Sequence, residues 1–172
     1  MASLMENLIV ILEKEITEYK ALLELSERKT PVIVKGELSV LRKITDDEQE
    51  VVGRLTHLER ERSEVMKDIA NVLNKDVDTL KLQVLIQILE GRPAEQKRLS
   101  LARDGLSEAV KAVSRINEQN RALIEQQLEM VEFDMNIIKS MNSAPVTADY
   151  DRTAAMSGSS IGSMNGSFDA KQ

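Results

Sequence analysis

Apolar residues recur along this chain in alternating steps of three and four. The longest run is unbroken from Leu99 through Ala102, Leu106, Ala109, Val113, Ile116, Asn120, Leu123, Gln127, Met130, Asp134 and Ile137 to Met141. That spacing keeps side chains on one side of an α-helix and is typical of a seam packed against other long helices. It predicts a helix over about 93–141, with Pro93 well suited to its first turn. Asp104-Gly105 is a candidate interruption, because an interior Gly costs ~1 kcal/mol relative to Ala. The seam keeps its phase across Gly105, so the pattern predicts one helix, with Gly105 the place where it would bend.

Three further segments carry the same periodicity. Ser3 and Glu6 have the spacing of a capping box and predict a helix over 3–34. Met5, Ile9, Leu12, Ile16, Tyr19 and Leu23 form one seam of it; Leu4, Leu8, Ile11, Leu22 and Leu25 form a second. Two adjacent seams mean two neighbours. Thr30-Pro31 weakens its end, because proline disfavours helical geometry in the residue before it, and Gly36 makes the corner. A second helix is predicted over 37–73, with Leu41, Ile44, Glu48, Val51, Leu55, Leu58, Arg62, Val65 and Ile69 as its seam. The tight connection makes the first two helices an antiparallel hairpin. Glu48 and Arg62 sit at seam positions and are expected at solvated ends or snorkelling outward. The other reading is a buried polar contact that fixes register. After a polar turn at Asn74 to Asp78, a short helix over 79–89 is apolar nearly all round and should plug one end of the bundle. The fold class is therefore all-α: an elongated antiparallel bundle or coiled coil of three long helices plus one short helix, over 1–142. Residues 143–172, rich in Ser and Gly, read as a flexible tail.

Composition agrees and narrows the chemistry. With two Tyr, two Phe and no Trp, the core must be aliphatic and methionine. The absence of cysteine excludes disulfides, thiolate zinc sites and a Cys nucleophile. The net charge of −6 is spread among interleaved acids and bases, which does not suit nucleic acid or an anionic membrane surface. No apolar run reaches the ~18 residues of a membrane span. No basic stretch precedes the first apolar residues, so no signal peptide is expected and the cytoplasm is the expected location.

No constellation for catalysis, cofactor or metal emerges. His57 is the only histidine and reads as a surface residue without a second ligand at metal spacing. Acids such as Asp46-Asp47-Glu48 alternate with bases as on a solvated helix face. Gly158, Gly162 and Gly166 have no phosphate-binding context. What remains is surplus apolar surface. Downstream of Asn120 a second seam, Ile124, Leu128, Val131, Met135 and Ile138, runs beside the first, and Phe133 adds to it. At 1.5 Å per residue the last helix would be about 73 Å long, against about 50–57 Å for the first two. Some of the stretch from Val131 to Met141 should therefore lie beyond its partners. The second seam is then either ordinary core or a partner site, and methionine suits an adaptable partner surface.

The order of several short features is similar to one family. The first half has Leu12-Glu13-x-Glu15-x-x-x-Tyr19-x-x-Leu22-Leu23-x-Leu25, then Lys29, the corner Gly36-Glu37, Glu48, Leu55, Leu58-Glu59 and Arg62. The last helix has Asn117-x-x-Asn120-x-x-Leu123-Ile124. Over about residues 4–141 these resemble the FlgN family of flagellar type III export chaperones. The ending Phe168-Asp169-Ala170-Lys171 is similar to that of some members.

The resemblance implies a non-enzymatic cytoplasmic helical protein. It would bind hook-associated proteins through their helical terminal segments, keep them unpolymerised and deliver them to the flagellar export gate. Client binding would fall on the last helix. The candidate residues there are Asn120, Leu123, Ile124, Leu128, Val131, Phe133, Met135, Ile138 and Met141. A tyrosine linked to gate docking in some members has no match in this helix; Tyr150 lies in the tail. Ile161, Met164 and Phe168 are spaced so that the tail is a candidate shield for the same stripe. The alternatives are an adaptor coiled coil that self-associates through its last helix, and a sister chaperone for the filament cap or flagellin.

Overall fold

The computed structural model describes residues 2–143, and the regular elements among them are all helical. Helix α1 is Ala2–Lys35, α2 is Leu38–Leu73, α3 is Leu82–Ile88 and α4 is Pro93–Ser143. Short 3-10 turns at Val77–Thr79 and Leu89–Gly91 flank α3. The expectations for Tyr150, Ile161, Met164, Phe168 and the rest of 144–172 lie outside the described residues.

The chain divides into two compact units, Met1–Val131 and Glu132–Gln172. In the first, α1 and α2 form the expected hairpin. Gly36 turns the corner at φ 69°, a left-handed conformation that costs glycine little. Its N–H donates to the Ile33 carbonyl at 3.1 Å, and Glu37 N–H donates to the Val32 carbonyl at 3.2 Å. These two bonds close the end of α1 as a Schellman motif. Asn74 ends α2 the same way: it stands at φ 49°, and Lys75 N–H donates to the Ala70 carbonyl at 3.0 Å.

Three expectations need correction here. Ser3 lies inside α1, which begins at Ala2, so it is not the cap. Pro31 does not end α1, which continues to Lys35. An interior proline costs ~3 kcal/mol, and tertiary contacts outweigh it: Ser26, Lys29 and Thr30 are bonded to neighbouring helices, and Ile33 beyond it is buried. The short helix is also shorter than 79–89. Asp76 accepts from the Asp78 N–H at 3.1 Å while the Thr79 hydroxyl donates to the Asp76 carbonyl, a local turn that delays α3 to Leu82.

Polar contacts give the register within the first unit. Between α1 and α2 they pair Glu15 with Arg62, Glu18 with Arg54 and Lys29 with Glu48, an antiparallel order. Between α1 and α4 they pair Glu6 with Arg98 and Ser26 with Asn120, a parallel order. Helix α2 already ends beside the start of α1, and the α3 region reverses the chain there. There Leu80, Leu85 and Leu89 pack with Met5, Leu8, Ile9 and Leu12 of α1, Ile69 and Ala70 of α2, and Leu99 and Ala102 of α4. Leu85 is completely buried, which is worth about 1.5–3 kcal/mol for such a side chain. A second core, Leu22, Val51, Leu55 and Val113, lies further along the hairpin.

Gly105 is not explained by a bend. A Cβ placed there would come within 3.2 Å of the Ile16 side chain, so glycine lets α4 approach α1 closely.

Candidate functional site

Helix α4 changes character along its length. Its first seam is buried at Leu99, Ala102, Ala109 and Val113. Asn120 closes this part. It is 3 % exposed, its Nδ2 donates to the Ser26 carbonyl at 2.7 Å, and its Oδ1 accepts from the Thr30 hydroxyl at 2.7 Å. Its amide is thus committed to α1. Expected on the partner-binding face, Asn120 is a buried tie between helices instead.

Past Asn120 the cover runs out. Thr30 is level with Asn120, and α1 ends five residues later at Lys35. At equal rise per residue, α1 can accompany α4 only to about Glu125. Exposure follows this register. Leu123, Ile124 and Gln127 are half-buried, whereas Leu128 (63 % exposed), Met130 and Val131 are open to solvent. In the second unit, 132–143 is helical and every residue is exposed. Phe133, Met135, Ile137, Ile138 and Met141 are its large apolar side chains.

This surface has no nucleophile among its apolar groups and offers aliphatic, thioether and one aromatic side chain. What it can do is bury another apolar surface. Patches of this kind on soluble proteins mark interaction sites. Leu123 and Ile124 stand at its border, and the other sequence candidates after them lie on open helix.

Of the two readings of Glu48 and Arg62, the outward one fails and the polar contact that fixes register holds. Both turn into the α1–α2 interface rather than outward. Glu48 accepts from the Ser26 hydroxyl at 2.8 Å and from Lys29 Nζ at 2.6 Å. Arg62 Nε donates to Glu15 Oε1 at 3.0 Å, and Glu15 is only 2 % exposed. Burial raises the Glu15 pKa from its ordinary 4.5; the Arg62 guanidinium opposes that rise and Glu59 adds to it. Burial likewise raises Tyr19, helped by the charges of Glu15 and Glu59. The signal for Glu15 was present: Leu8, Leu12, Glu15, Tyr19, Leu22, Ser26, Lys29 and Ile33 form a third 3–4 stripe on α1. Opposite charges at stripe positions of two adjacent helices point to each other.

His57 is exposed on α2, its Nε2 3.2 Å from Glu61 Oε1. No described helix is long and apolar enough to cross a membrane.

Comparison with known proteins finds a match between residues 1–158 and a model of the family described as FlgN protein. No curated protein and no solved structure matches.

Proposed function

Because the chain belongs to the FlgN protein family, and so to the flagellar export chaperones, we propose that it holds hook-associated proteins through the open face of α4 and hands them to the flagellar export gate. The observation that carries this reading is the exposure of Leu128, Val131, Phe133, Met135, Ile138 and Met141 on a helix whose earlier seam is core. Leu123 and Ile124 form the edge of the face. The family's members are chaperones rather than enzymes, and the work proposed here is binding in the cytoplasm.

The mechanism is helix-in-groove recognition. An amphipathic terminal helix of the client lays its apolar stripe on Leu128, Val131, Met135 and Ile138. Masking that helix keeps the client from assembling. Leu128, Val131, Met135 and Ile138 are 51–63 % exposed, so covering what remains open gains ~3–7 kcal/mol at 1.5–3 for each full burial, against an association cost of ~4–15 kcal/mol. Those four alone therefore give a reversible grip, which suits release by a competing site at the gate without nucleotide. Phe133, Met130, Ile137 and Met141 widen the contact.

The test is Leu128→Asp with Val131→Asp. Both side chains are exposed, so the double variant keeps its helix content and loses co-purification with the hook-associated proteins. Undiminished capture would remove the face from the account. A dimer formed through α4, seen by light scattering in place of a client complex, would instead favour an adaptor coiled coil.

A further inference from the structure

A second concave surface lies within the first unit. Helices α2 and α4 both pack on α1, and between them runs a trough floored by Tyr19 and Leu22. Two cavities, of about 310 and 470 Å³, make up this trough and share Leu22 and Val52 in their linings. Val52 on the α2 wall and Val110 on the α4 wall are 48 % and 40 % exposed. Along α2 the lining runs from Glu48 to Arg62, and along α4 from Leu106 to Glu125. At 1.5 Å per residue these walls are about 21 and 28 Å long, the length of a helix of roughly 14–19 residues.

We infer that this trough receives one amphipathic helix of a partner chain, carrying a lysine or arginine on its apolar side that reaches Glu15. The inference rests on the client reading above and extends the binding site from the open face into the bundle.

Three observations fix the occupant. Stepping by three or four from Val110 through Val113, Asn117, Arg121 and Ile124 leads to Leu128 and Val131. The trough wall and the start of the open seam thus share one side of α4, and a helix seated on one can enter the other. Glu15 lines the trough at one end beside Glu59. Arg62 takes its Oε1, while its buried Oε2 has no hydrogen-bond partner among the described residues. Buried acceptors without partners are rare, because each costs the desolvation of that atom. A cationic donor supplied by the occupant satisfies it, and burial in the complex strengthens that pairing. Finally, a chain of net charge −6 repels a second copy of itself, which favours a different chain.

The test uses the full chain with the photo-crosslinking residue p-benzoylphenylalanine in place of Val52, in complex with a hook-associated protein. The unmodified chain is titrated with that protein first. The adduct is expected on a helical terminal segment of the client. Val52→Asp with Val110→Asp is expected to weaken the complex at least about tenfold, since two charges would be forced into an apolar contact. Glu15→Gln keeps the shape and the Arg62 contact, and weakens it by about tenfold through loss of one charge-assisted bond. An adduct within residues 144–172, an adduct to a second copy, or a bound client that forms no adduct with the probe at position 52 would each overturn the trough. If Leu128→Asp with Val131→Asp loses the client while Val52→Asp with Val110→Asp does not, the trough fails and the open face stands. If the unmodified chain does not bind the client, the function fails and the trough with it.

Discussion

Replacing Asn120 by alanine measures how strongly its side chain ties α4 to α1. The side chain is buried and makes two hydrogen bonds to α1, both at 2.7 Å. Each is worth about 0.5–1.5 kcal/mol net, and groups left unpaired in a buried site add to the loss. Thr30 Oγ1 keeps a 3.5 Å approach to the Ser26 carbonyl, which softens it. Asn120→Ala should therefore destabilise the fold by about 2 kcal/mol. Urea unfolding followed by circular dichroism measures this directly. With an m-value of about 1–3 kcal/mol per molar, the midpoint should fall by roughly 1 M at unchanged slope. Thr30→Val removes one of the two bonds from the other side. A double-mutant cycle should return a coupling energy of about 0.5–1.5 kcal/mol for that bond. A loss below about 0.5 kcal/mol, within the range of ordinary surface changes, would refute the assignment.

Other predictions concern buried features. Glu15 has a folded-state pKa above its ordinary 4.5, so between that value and the raised one the folded state holds more protons than the unfolded chain. Its contribution to stability is greatest in acid and declines as pH rises above about 4.5 through the raised value. Denaturant midpoints across pH should show this decline for the unmodified chain relative to Glu15→Gln, and parallel curves would contradict it. Gly105→Ala gains up to ~1 kcal/mol of helix propensity, reduced by the approach of the new methyl to Ile16. It should be mildly stabilising, while Gly105→Leu should destabilise by about 1–3 kcal/mol through overpacking; thermal melts of both variants check the pair.

The helices were legible because their seams are long and in phase. Met5, Leu8, Ile9 and Leu12, then Val51 and Leu55, then Leu99, Ala102 and Val113 are buried as their spacing required. What escaped was set by partners that a single periodic pattern does not contain. Glu48 and Arg62 looked like exceptions to an apolar stripe until Lys29 and Glu15 faced them across the interface. Gly105 looked like the site of a bend because propensity is local, whereas the close approach of Ile16 is not. Asn120 kept the seam's phase, and only the packed α1 shows that it is core. Pro31 is tolerated because the bonds of Ser26, Lys29 and Thr30 hold α1 in place. The length mismatch between α4 and its partners was legible by arithmetic, since helix rise does not depend on context.

The central claim, that the open face of α4 carries the client, is tested most directly at its methionine methyl groups. The chain has eight methionines. Met130, Met135 and Met141 are on the exposed stretch of α4, whereas Met5 is fully buried and Met66 packs against the same core cluster. With carbon-13 methyl-labelled methionine, NMR titration with a hook-associated protein reads each group separately. The Met130, Met135 and Met141 signals should shift or broaden to saturation while Met5 and Met66 hold their positions. A saturated complex in which Met135 and Met141 do not move would contradict the claim.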